Sequence, residues 1–385
     1  MYKIQTYNKI SDKGLSLFDK AKYDINENHK DADGIILRSY NLLETEFPST
    51  IKAIGRAGAG TNNVPSDRCT DQGIVVFNAP GANANAVKEL VLAALFMSSR
   101  RVYESITWAQ TLKDGETDVP AQVEKGKSNF EGPEIMEKTI GVIGLGAIGG
   151  LVANACDALG MKVLGYDPFI SPEAKANLSS NVVIKETMEE IFAVADYLSL
   201  HLPVNSDTKG MFNAALFEKC KEGIRIVNFA RGGLIKDADM VAAVKSGKVA
   251  KYITDFPTEA LLNVDNIIPI PHLGASSPES EENCAKMVVN QVSIYLETGN
   301  VINSVNFPNV TLPVNGKRIT ACAKGNSELL TDVTAELKSA GISSTDMISK
   351  TRGDVTYVIV NTDKDAKSVE EKVKKLNGVV LARAI

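Results

Sequence analysis

The stretch Thr139–Pro168, TIGVIGLGAIGGLVANACDALGMKVLGYDP, decides how the rest of the chain is read. Thr139 to Ile143 is a short apolar run of strand length, and the turn Gly144-x-Gly146-x-x-Gly149 follows at once. The Ala- and Leu-rich residues beyond it predict a helix to about Leu159, closed by Gly160. Met161 to Tyr166 predict a second strand with Asp167 at its carboxyl end, about 20 residues past the glycines, the spacing of a dinucleotide-binding βαβ unit. Gly144 permits the tight turn, Gly146 lets backbone approach a pyrophosphate, and Gly149 lets helix and strand pack closely. The helix N-terminus offers N–H groups to the anion. A carboxylate at position 167 accepts from both ribose hydroxyls and repels a 2′-phosphate, and no Arg follows it. NAD is therefore expected over NADP.

At 385 residues the chain is long enough for two or three domains. Hydrophobic content of 44% and charged content of 23% are those of a globular protein, and no apolar run approaches the ~20 residues of a membrane span. The N-terminus lacks a signal-peptide core. Five cysteines, scattered and odd in number, indicate neither a zinc site nor a disulfide framework. No metal is expected, and the cytoplasm is the expected compartment. A net charge of −5 argues against a nucleic-acid surface, so an anionic substrate must be met by locally placed Arg and Lys.

Residues 1 to about 85 alternate strand candidates (Lys3–Thr6, Gly34–Leu37, Ile51–Ile54, Ile74–Phe77) with helical stretches, as a small α/β domain does. Arg38-Ser39 follows one of these strands. The run from Arg56 through Ala59, Gly60 and Asn63 follows another, and its small residues either expose successive N–H groups to a carboxylate or make a plain turn. Asn83 to about Trp108 reads as one long helix with more apolar surface than a single face needs, and Thr111 to Glu134 as a polar loop containing Lys127. Beyond the glycine-rich unit, strands recur at Tyr197–Leu200, Arg225–Asn228, Tyr252–Thr254 and Ile267–Pro269, a βα rhythm that implies a parallel sheet. The loops after these strands hold His201-Leu202-Pro203, Phe229-Ala230-Arg231, Asp255-Phe256 and His272-Leu273-Gly274. Glu279 to Leu296 predicts a helix returning to the first domain. Pro308 and Pro313 mark a linker, and from Lys317 the pattern is βαββαβ, the ferredoxin-like arrangement.

The motifs RAGAGTNNV from Arg56, NAPGANANAVKEL from Asn78, TIGVIGLGAIG from Thr139, LHLPVNSDTKG from Leu200, NFARGGLI from Asn228, DFPTE from Asp255 and PHLGAS from Pro271 stand in one order along nearly the whole chain. In them the sequence resembles the D-2-hydroxyacid dehydrogenases that carry a C-terminal ACT domain. The resemblance implies a Rossmann-type nucleotide-binding domain (86–278) inserted in a smaller flavodoxin-like α/β substrate domain (1–85 and 279–306), a linker (307–316) and a ferredoxin-like ACT domain (317–385). It implies hydride transfer between C2 of a 2-hydroxy acid and NAD, carried by Arg231, Glu259 and His272. An imidazole takes the hydroxyl proton near neutrality, a carboxylate favours its protonated form, and a guanidinium holds the substrate carboxylate. Chain position alone does not separate His272 from His201.

By motif, the cofactor would meet Gly144, Gly146, Ala147, Ile148, Gly149, Tyr166, Asp167, His201, Leu202, Pro203, Phe229, Ala230, Arg231, His272 and Gly274. The family's Asp before Val-Phe aligns with Thr254, leaving Thr254 and Asp255 as alternatives for the carboxamide contact. Substrate would meet Arg38, Ser39, Arg56, Ala59, Gly60, Asn83 and Lys127. Only Asn83 is carried from its motif, because Ala84, Ala86 and Lys88 depart from the usual types. The residues that bind serine in regulated members are unmatched in ITACAKGN and at Ser343. The first expectation is NAD-dependent oxidation of 3-phosphoglycerate to 3-phosphohydroxypyruvate, the entry to serine, by a homodimer or homotetramer. A hydroxypyruvate or glyoxylate reductase and an NAD-sensing corepressor are the alternatives.

Overall fold

Strands β1 (Tyr2–Tyr7), β2 (Tyr23–Ile25), β3 (Gly34–Leu37), β4 (Ala53–Arg56) and β5 (Val75–Asn78) form an all-parallel sheet. Its order, β2-β1-β3-β4-β5, is the flavodoxin-like one. The helix Pro278–Thr298 packs on this sheet through Cys284, Ala285, Val288, Val289, Val292, Tyr295 and Leu296, buried at helical spacing. Close approach is possible because β4 carries Gly55, where a Cβ would stand 3.1 Å from Val292 and 3.2 Å from Val288. This computed structural model describes residues 1–113, 115 and 118–385. It divides into two units, Met1–Asn83 with Pro278–Ile385, and Ala84–Ser277.

In the second unit, β6 (Thr139–Ile143), β7 (Lys162–Tyr166), β8 (Val183–Ile184), β9 (Tyr197–Leu200), β10 (Ile224–Asn228), β11 (Val249–Thr254) and β12 (Ile267–Pro269) pair in parallel. The order is β12-β11-β10-β9-β6-β7-β8, a doubly wound Rossmann-type sheet that switches direction beside β6. Residues of β6, β9, β10 and β11 are buried almost throughout, as strands covered on both faces must be.

Two expectations fail in this unit. The long helix is broken into Ala84–Arg100 and Val102–Ala109, with Arg101 left-handed at φ 47°. The cause is tertiary: the Ser98 carbonyl, which a continuing helix would pair with residue 102, accepts instead from Arg225 Nε at 3.0 Å, and Arg101 Nη1 donates to Asn129 O. The polar stretch holds a helix, Val119–Gly126, started by an Asp118 cap on Ala121 N and a proline in its first turn. A 3₁₀ turn, Lys127–Phe130, follows it.

The first unit resumes with β13 (Lys317–Lys324), β14 (Ser344–Arg352), β15 (Val355–Thr362) and β16 (Val379–Ala384). They form an antiparallel sheet in the order β14-β15-β13-β16, ferredoxin-like and compatible with an ACT domain. Helices Leu329–Ser339 and Lys367–Val373 cover one face. On the other, Cys322, Tyr357 and Ile359 merge into the same core as Phe77, Tyr295 and Phe307. Two buried arginines close this junction. Arg318 donates to Thr298 O, Leu312 O, Pro313 O and Asn361 Oδ1, and Arg383 to Leu296 O at 2.7 Å, with its guanidinium over the Tyr295 ring. Neither has a carboxylate partner; helix-end carbonyls, the negative pole of the Pro278–Thr298 helix, take that place.

Candidate active site

Because the seven-stranded sheet is parallel, its carboxyl ends all open on one edge. Ile143 at the end of β6 pairs with Tyr166 and Leu200, so the glycine turn, Asp167 and His201 follow neighbouring strands. Asn228 pairs with Thr254 and Thr254 with Pro269, so Arg231, Asp255 and His272 follow three adjacent strands in turn.

The turn is built for close approach. Gly144 has φ +93°, and a Cβ there would lie 2.6 Å from His201 O. A Cβ on Gly149 would lie 1.8 Å from Gly144 O, whereas one on Gly146 would meet nothing within 4 Å, leaving that face of the backbone open to a ligand. Ala147 and Ile148 start the helix Ala147–Ala158. Asp167 already accepts from Leu145 N and Phe169 N, each at 2.9 Å, which fixes the carboxylate at the turn while further lone pairs remain for ribose hydroxyls. Tyr166, half-buried, precedes it.

His201 Nε2 is 2.8 Å from Ser199 Oγ, while its buried Nδ1 has no partner. Burial pushes the imidazole down to about 3, so it stays neutral. Leu202 packs at Gly144, and Pro203 O accepts from Thr208 Oγ1. Phe229 and Ala230 are buried. Thr254 is fully buried and its hydroxyl accepts from Phe256 N. Asp255, 1% exposed, accepts from Gly274 N through Oδ2 at 3.2 Å, and its buried Oδ1 has no partner. Burial raises its carboxyl above the ordinary value, against the opposing pull of the Gly274 N–H and the nearby His272 and Arg231. His272 is exposed beside the Phe256 ring, centroids 4.7 Å apart. Arg231 is exposed, its loop tied by Asn228 Nδ2 to Arg231 O, and Glu259 is exposed in the 3₁₀ turn Glu259–Leu261. Among the described residues no ion pair joins Glu259 to His272.

In the first unit, Leu37 pairs with Arg56 and Arg56 with Asn78, so the Arg38 and Arg56 loops sit side by side at strand ends. Asn8, left-handed at φ 63°, accepts from Ser39 N and Tyr40 N, and Asn63 Nδ2 donates to Arg38 O and Tyr40 O. Ala57 N and Gly58 N are used internally, but Ala59 N and Gly60 N have no partner among the described residues. Asn78 Nδ2 anchors Ala59 O at 2.6 Å. Asn83 immediately precedes the Ala84–Arg100 helix. The two proposed phosphate cations are already engaged: Arg38 Nη1 lies 2.5 Å from Glu281 Oε1, and Lys127 is paired with Glu124. Sequence reasoning missed the anchoring asparagines and Glu281. The asparagines carried a signal, polar side chains just past apolar strands, whereas Glu281 is 243 residues from Arg38 and carried none.

A parallel sheet with this glycine turn and acid defines a dinucleotide-binding protein of the dehydrogenase kind. Residues 92–274 match the family described as "D-isomer specific 2-hydroxyacid dehydrogenase, NAD binding domain". D-3-phosphoglycerate dehydrogenase of Rattus norvegicus is 33% identical over 294 residues, covering 73% of this chain and 52% of the relative. That of Methanocaldococcus jannaschii is 33% identical over 306 residues, 77% and 56% of the two chains. The chain thus spans about half the length of these curated relatives. The NAD⁺-bound 3-phosphoglycerate dehydrogenase structure from Entamoeba histolytica has TM-score 0.62 and 26% identity, covering 80% of this chain and 99% of that one. The chain belongs to the D-2-hydroxyacid dehydrogenase family, with an NAD-binding domain.

Proposed function

We propose that the protein oxidises 3-phosphoglycerate to 3-phosphohydroxypyruvate with NAD. The observation that carries the chemistry is the grouping of Arg231, Asp255 and His272 after three adjacent strands of the sheet whose central turn is open at Gly146. The phosphorylated substrate rests on the relatives' names and on the cations of the first unit.

When bound, NAD supplies the hydride acceptor. The chain's own residues do the rest. His272, exposed, takes the proton of the C2 hydroxyl at an imidazole nitrogen; His201, held neutral by burial, is too weak a base for that step. Glu259 favours the imidazolium, and Arg231 holds the carboxylate and polarises the forming carbonyl. Asp255 receives the carboxamide, because its buried Oδ1 lacks a donor among the described residues; the Thr254 hydroxyl, which accepts from Phe256 N and keeps its O–H and a lone pair, is the alternative. Asp167 accepts from the ribose. The Ala59 and Gly60 N–H groups, with Arg56, share the one substrate carboxylate with Arg231, and Arg38 or Lys127 takes the phosphate. Five buried free cysteines accord with a reducing cytoplasm. Exposed Val102, Tyr103 and Ile106 on one short helix fit a contact between copies in a homo-oligomer.

A second reading, hydroxypyruvate or glyoxylate reductase, is favoured by the engagement of Arg38 and Lys127 with carboxylates. Steady-state assay with NAD(H) against 3-phosphoglycerate, glycerate, hydroxypyruvate and glyoxylate separates the two. We expect the highest kcat/KM with 3-phosphoglycerate. Turnover confined to the unphosphorylated acids rejects the first reading, and NAD binding without any turnover leaves the corepressor.

A further inference from the structure

The first two turns of the Pro278–Thr298 helix gather an unusual set of charges. Arg38 pairs with Glu281 at 2.5 Å, and the buried Cys284 thiol feels Arg56, Arg38 and Glu281 together, so two guanidiniums and one carboxylate share this end of the helix. Asn8 and Asn63 fix the backbone that carries Arg38, leaving the guanidinium free to move only along its own side chain. The pair is partly exposed, 36% and 43%, and so is weak and exchangeable.

We propose that Glu281 sets the affinity for the phosphorylated substrate by competing with its phosphate for Arg38. This inference rests on the reading that the substrate is phosphorylated. A plain 2-hydroxy acid carries one carboxylate and leaves the Arg38–Glu281 pair intact. A phosphate of nearly two negative charges displaces the singly charged carboxylate, and Glu281 swings to water. Glu281 acts through Arg38 and is a positioning residue. Its presence lowers the affinity of Arg38 for free phosphate and for the phosphorylated substrate by the same factor.

The test is Glu281→Gln, with Glu281→Ala beside it, assayed on 3-phosphoglycerate and on glycerate. The expected result is a KM for 3-phosphoglycerate lowered about three- to fivefold, the range open to an exposed ion pair. kcat, the KM for glycerate and the melting temperature stay unchanged, and inorganic phosphate becomes a better competitive inhibitor by the same factor. An unchanged or raised KM for 3-phosphoglycerate overturns the proposal, the latter showing that Glu281 aims Arg38 at the phosphate. Arg38→Ala distinguishes the levels of failure. If it removes the preference for the phosphorylated acid while Glu281→Gln does nothing, the phosphate reading stands and this inference falls. If Arg38→Ala leaves that preference intact, this inference falls and the phosphate reading passes to Lys127, whereas turnover of the wild type confined to the unphosphorylated acids fells both. In the Arg38→Ala background Glu281→Gln should have no effect, and a persisting effect also overturns the proposal.

Discussion

Two places bury strongly polar side chains, and they do it in opposite ways. At the junction of β13 and β16 with the Pro278–Thr298 helix, Arg318 and Arg383 are surrounded by carbonyl acceptors. At the carboxyl ends of β9 and β11, by contrast, His201 Nδ1 and Asp255 Oδ1 are buried and have no partner among the described residues. An unmade hydrogen bond in a dry site costs about 1–3 kcal/mol, and at the carboxyl ends of a parallel sheet a bound ligand is the group that can supply the missing partner. Burial without a partner is not confined to these strand ends, since Tyr295 Oη and Thr320 Oγ1 at the junction also lack one among the described residues; the place at the strand ends is what sets His201 and Asp255 apart.

The largest expected effect lies on the binding side. His272→Ala should lower kcat by about 10²–10⁴-fold while leaving NADH binding and the melting temperature near wild type; a variant that melts early instead would move His272 to the architectural class. Next comes Arg318→Met, which strands the Thr298 and Leu312 carbonyls and Asn361 Oδ1. It should lower the unfolding free energy by about 3 kcal/mol or more in denaturant titration, with kcat of the folded fraction preserved. Loss of kcat without loss of stability would break the contrast.

Asp255→Asn is a smaller change and sharper. NADH affinity, followed by fluorescence, should fall about tenfold while stability at neutral pH holds or rises, because a buried charge has gone. The pH dependence follows from the raised carboxyl of Asp255. A raised folded value means that the protonated form favours the fold: that contribution is complete below the ordinary carboxylate value and is lost as pH rises through the raised one. Wild type should therefore lose stability relative to Asp255→Asn as pH climbs through that window, and parallel curves would contradict it. The smallest effect is at His201. Its imidazole is pushed down to about 3, so the stability it contributes is full above its ordinary value and is lost as pH falls from there toward 3. Between about pH 6 and pH 5, wild type should lose up to about 1 kcal/mol more than His201→Asn in urea titration.

Much of this was legible before any coordinates. Gly34–Leu37, Thr139–Ile143, Tyr197–Leu200 and Ile267–Pro269 are read at their observed bounds, because apolar strands ending in glycine, polar or proline residues announce themselves locally. The break at Arg101 carried only a weak local signal, the Ser98-Ser99 pair whose hydroxyls both bond back to Leu95 O, while the arginine that takes the Ser98 carbonyl, Arg225, lies 124 residues from the break. The Val119–Gly126 helix was hidden by its polar composition, though its Asp118 cap and following Pro120 were in plain view. The site residues were legible as types at strand ends. Whether each was free or already engaged was not, since the Arg38–Glu281 pair joins distant parts of the chain.

The arginine clasp also bears on modularity. A ferredoxin-like sheet at the end of a chain looks like a cassette that can be lent, traded or lost. Here the last turn of the Pro278–Thr298 helix relies on it: Leu296 O and Thr298 O accept from Arg383 and Arg318, and Gly299 O from Tyr357. A chain ended before β13 would leave those carbonyls bare and open the core that Phe77 and Tyr295 share with Tyr357. Any foreign module grafted in its place would have to supply donors for those carbonyls or leave them to water, so the C-terminal sheet and the helix it closes pack as one unit.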